Sequence, residues 1–314
     1  MIVVCGEALI DIIHNGDGTQ RHVPGGGPFN TARALARLGV PTAFLGRLSL
    51  DTFGRELAGL LVSDGVSLEL ASFGPEPTTT AIATVNDDGL TEYEFVLAGT
   101  SAPSLNAEML PVQLGHEVDG LHVGTLGLVV EPMASALAGL VRRDGDGRLV
   151  MLDPNIRRGL AVEASYRERL TDVISRSAIV KASQEDLAWL YPDIDYEHAA
   201  EKLIAEGPRL AVVTLGLEGA FGLHGGLRVH VASPRVEVVD TIGAGDTFGA
   251  ALLAWLHDHA RLTPDFVLEH DELRAALDYA CLAAAIICTR AGAEPPWKSE
   301  MGVDTLSPAP DSKS

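Results

Sequence analysis

Short runs of apolar, β-branched residues alternate along the chain with longer stretches whose apolar positions repeat every three or four residues. The first pattern is typical of buried strands and the second of amphipathic helices. Strands are predicted at 2–5, 42–46, 121–124, 148–152, 178–181, 210–214 and 235–239. Helices are predicted at about 29–38, 53–64, 132–143, 165–175, 184–190, 197–206, 246–259 and 271–288. This alternation predicts an α/β fold, a doubly wound and mostly parallel sheet with helices on both faces.

Two stretches interrupt the alternation and predict β-hairpins. Residues 10–24 contain a turn sequence at 15–18, and residues 78–98 contain another at 86–89. Four short strands without a helix among them do not fit a doubly wound core, so a small separate sheet is predicted. The predicted units are a core (1–11, 25–75 and 101–301), a β-sheet lid (12–24 and 76–100) and a disordered tail (302–314).

Composition narrows the possible partners and compartment. The chain has 314 residues, of which 46% are hydrophobic and 21% charged, as in globular proteins. Its net charge of −20 argues against nucleic acid or an anionic membrane as a partner. No apolar run approaches the roughly 20 residues that span a bilayer, and the start of the chain lacks the basic segment of a signal peptide. Three cysteines without CxxC spacing favour free thiols, so a cytoplasmic protein is expected.

A glycine-rich loop that ends in a carboxylate follows the last predicted strand. It spans Asp240-Thr241-Ile242-Gly243-Ala244-Gly245-Asp246 and precedes a predicted helix. Small residues let the backbone approach a ligand, and a helix N-terminus favours phosphate oxygens. Because Asp246 would repel a phosphate, its natural role is to accept a proton from an attacking hydroxyl. The structural alternative is that Asp246 is an ordinary helix N-cap. The loop matches neither a Walker A nor a dinucleotide-binding Gly-x-Gly-x-x-Gly motif.

The run from Asp240 to Leu253 resembles, at every position, the second signature of the ribokinase-like (PfkB) carbohydrate kinases. The resemblance implies that Asp246 is the catalytic base. It also implies that Gly243, Ala244 and Gly245 form an anion hole for the transferring phosphoryl group. Such chemistry depends on positioning and electrostatics.

A second glycine-rich run, 24–32, resembles the first signature of the same family, although Ser49 stands where a glycine usually closes it. The resemblance implies that Gly25, Gly26 and Asn30 contact sugar hydroxyls. Asp11 is predicted at the C-terminal end of the first strand, where ligands of open parallel sheets bind. Family members bind two sugar hydroxyls with an Asp here, and a polar hairpin residue is the alternative.

The run Asp153-Pro154-Asn155-Ile156-Arg157 resembles bacterial fructokinases and 2-keto-3-deoxygluconate kinases. Pro154 ends the strand, so the polar side chains after it are expected to project into a loop. The guanidinium of Arg157 suits either a phosphate or the carboxylate of a sugar acid. A surface salt bridge is the alternative.

The remaining implied sites concern the metal and the nucleotide. Ser183 and Asp186 occupy the positions of the family's Asn-x-x-Glu, whose Glu acts on Mg²⁺ through water, and Glu185 is the neighbouring alternative. An acid-rich helix N-terminus explains that run nearly as well.

ATP contacts are implied at Thr214, Gly216, Gly219, Gly243, Gly245 and Cys281. A monovalent cation such as K⁺ is a further possibility at Asp240, Ile242 and Gly292.

The predicted function is ATP-dependent phosphorylation of a sugar, with fructose as the acceptor. A 2-keto-3-deoxygluconate kinase or another ribokinase-like sugar or nucleoside kinase is the alternative. The sugar acid would require basic groups near the lid, and residues 88–104 contain none. A catalytically silent sugar-binding regulator would lack the base, and Asp246 is present. The exposed face of the lid predicts a homodimer.

Overall fold

The structure, a computed structural model, describes residues 1–14, 19–85, 91–157, 159–160 and 164–302. The turns predicted at 15–18 and 86–89 and nearly all of the predicted tail lie outside these residues. In chain order the strands are β1 (Ile2–Cys5), β2 (Leu9–His14), β3 (Gln20–Gly25), β4 (Thr42–Leu45), β5 (Arg47–Ser49), β6 (Ser72–Gly74), β7 (Thr80–Val85), β8 (Thr91–Val96), β9 (Gly120–Gly124), β10 (Leu149–Asp153), β11 (Ile179–Ser183), β12 (Leu210–Thr214), β13 (Ala220–His224) and β14 (Leu227–Val231). The α-helices are α1 (Gly27–Arg37), α2 (Thr52–Ser63), α3 (Met133–Asp144), α4 (Ala164–Arg176), α5 (Gln184–Leu190), α6 (Tyr196–Ala205), α7 (Ala244–Asp258) and α8 (His270–Cys288).

The large sheet has eight strands in the order β14-β13-β12-β11-β10-β9-β1-β4. The strands from β12 to β4 pair in parallel, and β13 and β14 add an antiparallel edge. Strands β1, β9 and β10, in the middle of the parallel part, are buried along their whole length, as expected of a sheet with covered faces. The prediction of a mostly parallel, doubly wound sheet is therefore confirmed.

Helices cover both faces of this sheet because strand side chains alternate in direction. Ile2 and Val4 of β1 belong to one core with α1, α2, α7 and α8. Val3 and Cys5 belong to a second core with α3, α4 and α6. The eight predicted helices agree with the observed ones within about two residues at each end. Within the described residues, no helix has both the length and the apolar character needed to span a bilayer.

The strand predicted at 235–239 is wrong. These residues are described, and they form a segment without regular secondary structure, outside the sheet. Val236 and Val238 alternate as in a half-buried strand, but they line a cavity beside α7 instead of pairing with a neighbour. The edge of the sheet is formed by the hairpin of β13 and β14, which the sequence analysis did not predict.

The predicted separate sheet is present, with the strand order β3-β2-β7-β8. Strands β2 and β3 form one antiparallel hairpin, β7 and β8 form the other, and the parallel pair of β2 and β7 joins them. The sheet starts at Leu9 and its first hairpin ends at Gly25, so both bounds extend beyond the predicted 12–24. A further pair, β5 and β6, was not predicted.

Asp51 connects the core to the chain that leads into β7. Its carboxylate accepts hydrogen bonds from the backbone N–H of Gly54, where it caps α2, and from both the N–H and the hydroxyl of Thr78. Ser49, which replaces the glycine of the first signature, accepts a bond from the N–H of Asp51 with its hydroxyl oxygen. The departure from the signature thus adds one more bond to this connection.

A buried ionic cluster fastens α1 to two distant segments. Arg33 is 1% exposed, and its Nε lies 2.6 Å from Oδ2 of Asp64, at the end of α2. Its Nη1 donates to the carbonyl oxygen of Ala293 at 3.0 Å, and its Nη2 lies 3.1 Å from Glu294. Arg37 also pairs with Asp64, at 2.9 Å. The cluster therefore holds α1 against α2 and against the loop that follows α8.

We expect Arg33→Met to lower the free energy of unfolding by about 3 kcal/mol, because among the described residues the buried Asp64 keeps only Arg37 as a partner and the carbonyl oxygen of Ala293 loses its donor. The matched control is Arg142→Met. It removes an ion pair between Arg142, whose side chain is 51% exposed, and Asp172. That change should cost less than about 1 kcal/mol. Urea denaturation measures both values, and equal small losses would contradict a structural role for the cluster.

Candidate active site

The first turn of α7 is built from three small residues. Gly243 precedes the helix with φ 77°, in the left-handed region that favours glycine. The N–H of Ala244 donates to the carbonyl oxygen of Thr241 at 3.2 Å. The first N–H groups of a helix lack intrahelical partners and carry its positive end, so this turn suits phosphate oxygens.

Asp246, in the same turn, is a buried carboxylate. The residue is 9% exposed, and its Oδ2 accepts a hydrogen bond of 2.9 Å from Nδ2 of Asn30 on α1. Burial raises the pKa of Asp246, and the Asn30 hydrogen bond and the charges of Lys181 and Arg157 act against that rise. A carboxylate with a raised pKa that remains hydrogen-bonded is suited to accept a proton.

A cavity of about 350 Å³ opens beside Asp246. Asp11, Gly26, Asn30 and Arg157, all predicted to contact the sugar, line it. Gly26 has φ 105°, and a Cβ there would lie 2.8 Å from the carbonyl oxygen of Glu7. Gly25 lies behind the cavity wall, where a Cβ would lie 2.3 Å from Oδ2 of Asp11. Sequence positions far apart thus form one polar cavity.

The position of Asp11 differs from the prediction. The first strand ends at Cys5, and Asp11 lies within β2 of the small sheet rather than at the mouth of the large one. The chain changes sheets between these points, which a continuous apolar pattern does not reveal. Burial raises the pKa of Asp11 to about 6, Arg157 lowers it, and Asp246 adds a smaller increase.

Glu7 is a cavity residue that the sequence analysis missed. It is 1% exposed, and its Oε2 accepts a hydrogen bond of 3.2 Å from the N–H of Gly127. Its Oε1 is buried without a hydrogen-bond partner among the described residues. Burial raises the pKa of Glu7 to about 7, and the charge of Asp246 contributes to that rise. The signal in the sequence is a charged residue placed immediately after a buried strand.

Lys181 and Asp153 form a buried ion pair at the cavity. Lys181 Nζ lies 2.8 Å from Asp153 Oδ2, and their side chains are 6% and 2% exposed. Arg157, in the loop that follows Asp153 at the end of β10, is exposed and lines the cavity. The run that starts at Asp153 is visible in the sequence as a family motif, whereas no role was predicted for Lys181.

Ser183 and Asp186 form a capping box at the start of α5. The hydroxyl of Ser183 and the N–H of the same residue bond to Oδ2 of Asp186, and Oδ1 accepts from the N–H of Ile156. Asp186 lines the cavity, whereas Glu185 is exposed and faces a different one. Adjacent helical residues point about 100° apart, so only one of the two carboxylates reaches the site.

A second cavity of about 640 Å³ adjoins the first, and Thr214, Thr241 and Gly245 line both. Gly216, Gly219 and Cys281, all predicted to contact ATP, also line the second cavity. Its walls are largely apolar, and the remaining apolar lining residues include Val236, Val238, Phe248, Ala284, Ala285 and Cys288. An apolar cleft of this size that leads to a helix N-terminus fits a nucleotide with its phosphates toward α7.

The three residues predicted for a monovalent cation lie together. Asp240 accepts hydrogen bonds from the N–H of Ile242 at 3.1 Å and from the N–H of Gly292 at 3.0 Å. Arg21, from β3 of the small sheet, lies 4.0 Å from the same carboxylate. Asp240 therefore joins the start of the glycine loop to the loop after α8.

Above pH 7, we expect Glu7→Gln to be more stable than the parent chain by on the order of 2 kcal/mol. Because burial raises the pKa of Glu7 from 4.5 to about 7, the folded state holds the proton more tightly than the unfolded chain. The free energy of unfolding therefore falls as pH rises from 4.5 to 7, and the gain of the variant should vanish toward pH 4.5. Thermal unfolding across pH measures the difference. The exposed Glu108→Gln is the control, and an equal, pH-independent gain in both variants would contradict the prediction.

Comparison with known proteins finds relatives over nearly the whole chain. Residues 1–300 match the family described as pfkB family carbohydrate kinase. A fructokinase of Rhizobium leguminosarum bv. trifolii is 38% identical over 277 residues, which cover 87% of this chain and 84% of the relative. The structure of fructokinase with bound ATP from Xylella fastidiosa has a TM-score of 0.87 at 26% identity, covering 96% of each chain. That of fructokinase from Vibrio cholerae O395 in its fructose, ADP and calcium ion bound form has a TM-score of 0.80 at 27% identity, covering 93% of this chain and 94% of that one. This chain therefore belongs to the pfkB family of carbohydrate kinases.

Proposed function

We propose that this chain transfers the γ-phosphoryl group of ATP to a hydroxyl group of fructose. The observation that carries the proposal is the position of Asp246, a buried carboxylate beside the point where two cavities meet. One cavity is polar and has the size of a monosaccharide site, and the other is apolar and has the size of a nucleotide site. The relatives named fructokinase support fructose as the acceptor.

In this mechanism, Asp246 accepts the proton of the attacking sugar hydroxyl. The hydroxyl oxygen forms a bond to the γ-phosphorus, the bond from that phosphorus to the bridging oxygen breaks, and ADP leaves with the electron pair. Asn30 holds Asp246 in place through its 2.9 Å hydrogen bond. Because burial raises the pKa of Asp246, the carboxylate is a stronger base than an exposed aspartate.

The start of α7 stabilises the charge of the transferring group. The N–H groups of its first turn beyond Ala244, whose N–H donates to Thr241, act on the phosphoryl oxygens together with the positive end of the helix. Fixed donors of this kind need no reorganisation during the reaction. The small sheet would close over the sugar cavity, which Phe95 of β8 already lines. Closure excludes water, which otherwise competes as the phosphoryl acceptor.

Mg²⁺ fits the carboxylates at the cavity as an ion held through water. Both oxygens of Asp186 already accept hydrogen bonds from the protein, so direct coordination is less suited to it than contact through bound water. Among the described residues, no group of three or more His, Cys, Asp or Glu side chains is arranged to hold a metal by itself. When bound, Mg²⁺ would neutralise charge on the phosphates.

Three finer features belong to the same proposal. A monovalent cation such as K⁺ would bind near Asp240, Ile242 and Gly292, which the Asp240 carboxylate holds together. A homodimer would form through the small sheet, whose Val96 is 41% exposed. A cytoplasmic location is supported by the three cysteines, which are all free.

The charge of the sugar cavity favours a neutral sugar. Five carboxylates, those of Glu7, Asp11, Asp153, Asp186 and Asp246, line it against two cations, Arg157 and Lys181. Lys181 is paired with Asp153 and lies against Gly245 at the start of α7, on the phosphate side of the cavity, so Arg157 is the cation left to face the carboxylate of a sugar acid. An excess of negative charge in a partly enclosed site repels an anionic acceptor. This balance favours fructose over 2-keto-3-deoxygluconate.

We expect Asp246→Asn to lower kcat roughly 1000-fold with little change in the KM for ATP, because the base is lost and the nucleotide cavity is retained. The matched control is Asp271→Asn, a carboxylate in the first turn of α8 whose side chain is 99% exposed. If Asp246 acted only on the helix dipole, both variants would keep near-normal turnover and lose at most about 1 kcal/mol of stability. An assay coupled to ADP formation distinguishes the two outcomes.

On a panel of fructose, tagatose, ribose, 2-keto-3-deoxygluconate and adenosine, we expect fructose to give the highest kcat/KM, by at least about tenfold. The repulsion described for the cavity should place the sugar acid among the poorest acceptors. The same coupled assay measures each value, with ATP alone as the hydrolysis control. A higher kcat/KM for any other member of the panel would overturn fructose as the acceptor.

A further inference from the structure

Lys181 carries a buried positive charge into the site. It is the third residue of β11, a strand with parallel neighbours on both sides. Its side chain is only 6% exposed, yet it lines the sugar cavity together with Gly243, Gly245 and Asp246. A lysine is almost never this deeply buried unless its charge is compensated.

The carboxylate that balances the charge of Lys181 occupies only one of the hydrogen-bond donors of its ammonium group. Lys181 Nζ donates to Asp153 Oδ2 at 2.8 Å, and this is its one hydrogen bond within the described part of the chain. An ammonium group has three N–H donors. Two of them therefore remain for a ligand in the cavity.

Nζ of Lys181 lies directly against the glycine loop. A Cβ atom built on Gly245 would be 3.0 Å from Nζ, and apart from its chain neighbours and the backbone of its own helix no other atom of the described residues would lie within 4 Å of it. Gly245 lies in the first turn of α7 and lines both cavities. The ammonium group is thus beside the point where the γ-phosphoryl group must pass between nucleotide and sugar.

The groups around Lys181 keep it charged. Burial acts to lower the pKa of Lys181, but the carboxylates of Asp153, Asp246 and Asp186 outweigh burial and raise it. Burial and the nearby charge of Lys181 lower the pKa of His122 on β9 to about 3, so this imidazole is neutral and adds no charge. The lysine therefore presents a full positive charge at neutral pH.

We propose that Lys181 is a catalytic residue whose ammonium group binds the γ-phosphoryl group of ATP and stabilises its charge during transfer. Asp153 is then a positioning residue that fixes the direction of Nζ. The proposal rests on the kinase function proposed above. A purely structural ion pair is the competing explanation, and it makes Lys181 necessary only to compensate Asp153.

The test compares Lys181→Met, Asp153→Asn and the double variant that combines them. The double variant removes both members of the pair, so neither Asp153 nor Lys181 is left as an unpaired buried charge, and Asp246 keeps the Asn30 hydrogen bond and the charge of Arg157. We expect its melting temperature to lie close to that of the parent chain, while its kcat stays roughly 100-fold lower, as for the loss of other charge-stabilising donors. Asp153→Asn alone, which keeps the ammonium group, should lose less than about tenfold. Recovery of parent kcat in the double variant would overturn the proposal.

A binding measurement tests Lys181 independently of sugar turnover. By calorimetry without sugar, we expect the double variant to bind ATP about tenfold more weakly than the parent chain and ADP within about threefold, because ADP lacks the γ-phosphoryl group. Equal weakening of both nucleotides would contradict the proposed contact. The two proposals can fail separately. If the parent chain phosphorylated no sugar but the double variant still lost affinity for ATP and not for ADP, the kinase function would be wrong and the Lys181 contact would be supported.

Discussion

The burial of Asp246 at the start of α7 is the constraint on which the rest of the site depends. An ionised carboxylate removed from water needs compensating partners. Asn30 supplies a hydrogen bond, Lys181 and Arg157 supply positive charge, and the end of the helix adds its dipole. These partners come from α1, β11 and the loop after β10. The reactive carboxylate is therefore compensated only when these distant segments are packed together.

The packing of α1 against α7 shows how this compensation is maintained. Asn30 and Arg33 are three residues apart and so lie on neighbouring parts of the α1 surface. Arg33 donates to the carbonyl of Ala293, whose Cβ would lie 3.1 Å from a Cβ on Gly243. One helix thus holds the catalytic carboxylate with one side chain and supports the loop behind the phosphate site with another. The buried arginine and the site are parts of the same structural arrangement.

Periodicity predicted the helices and the small sheet because both depend on local patterns. It gave a wrong prediction at 235–239, because Val236 and Val238 alternate with polar residues to line a cavity and not to pair with a neighbouring strand. It also missed Lys181, because a lysine within an apolar run reveals its role only through Asp153, 28 residues away in the chain. The family signatures indicated the glycine loop and the sugar residues, but the charge balance of the cavity required the three-dimensional arrangement.

Two glycines at the start of α7, Gly243 and Gly245, are required for different physical reasons. Gly243 adopts a left-handed φ of 77°, which few other residues tolerate. Gly245 is helical, where glycine costs about 1 kcal/mol relative to alanine. That cost is explained by the space it leaves, since a Cβ there would stand 3.0 Å from the Lys181 ammonium group. A side chain at position 245 would come between Lys181 and a phosphate bound at the start of α7. Because residue 245 is a glycine, the ammonium group of Lys181 and the positive end of the helix can both contact the same phosphate.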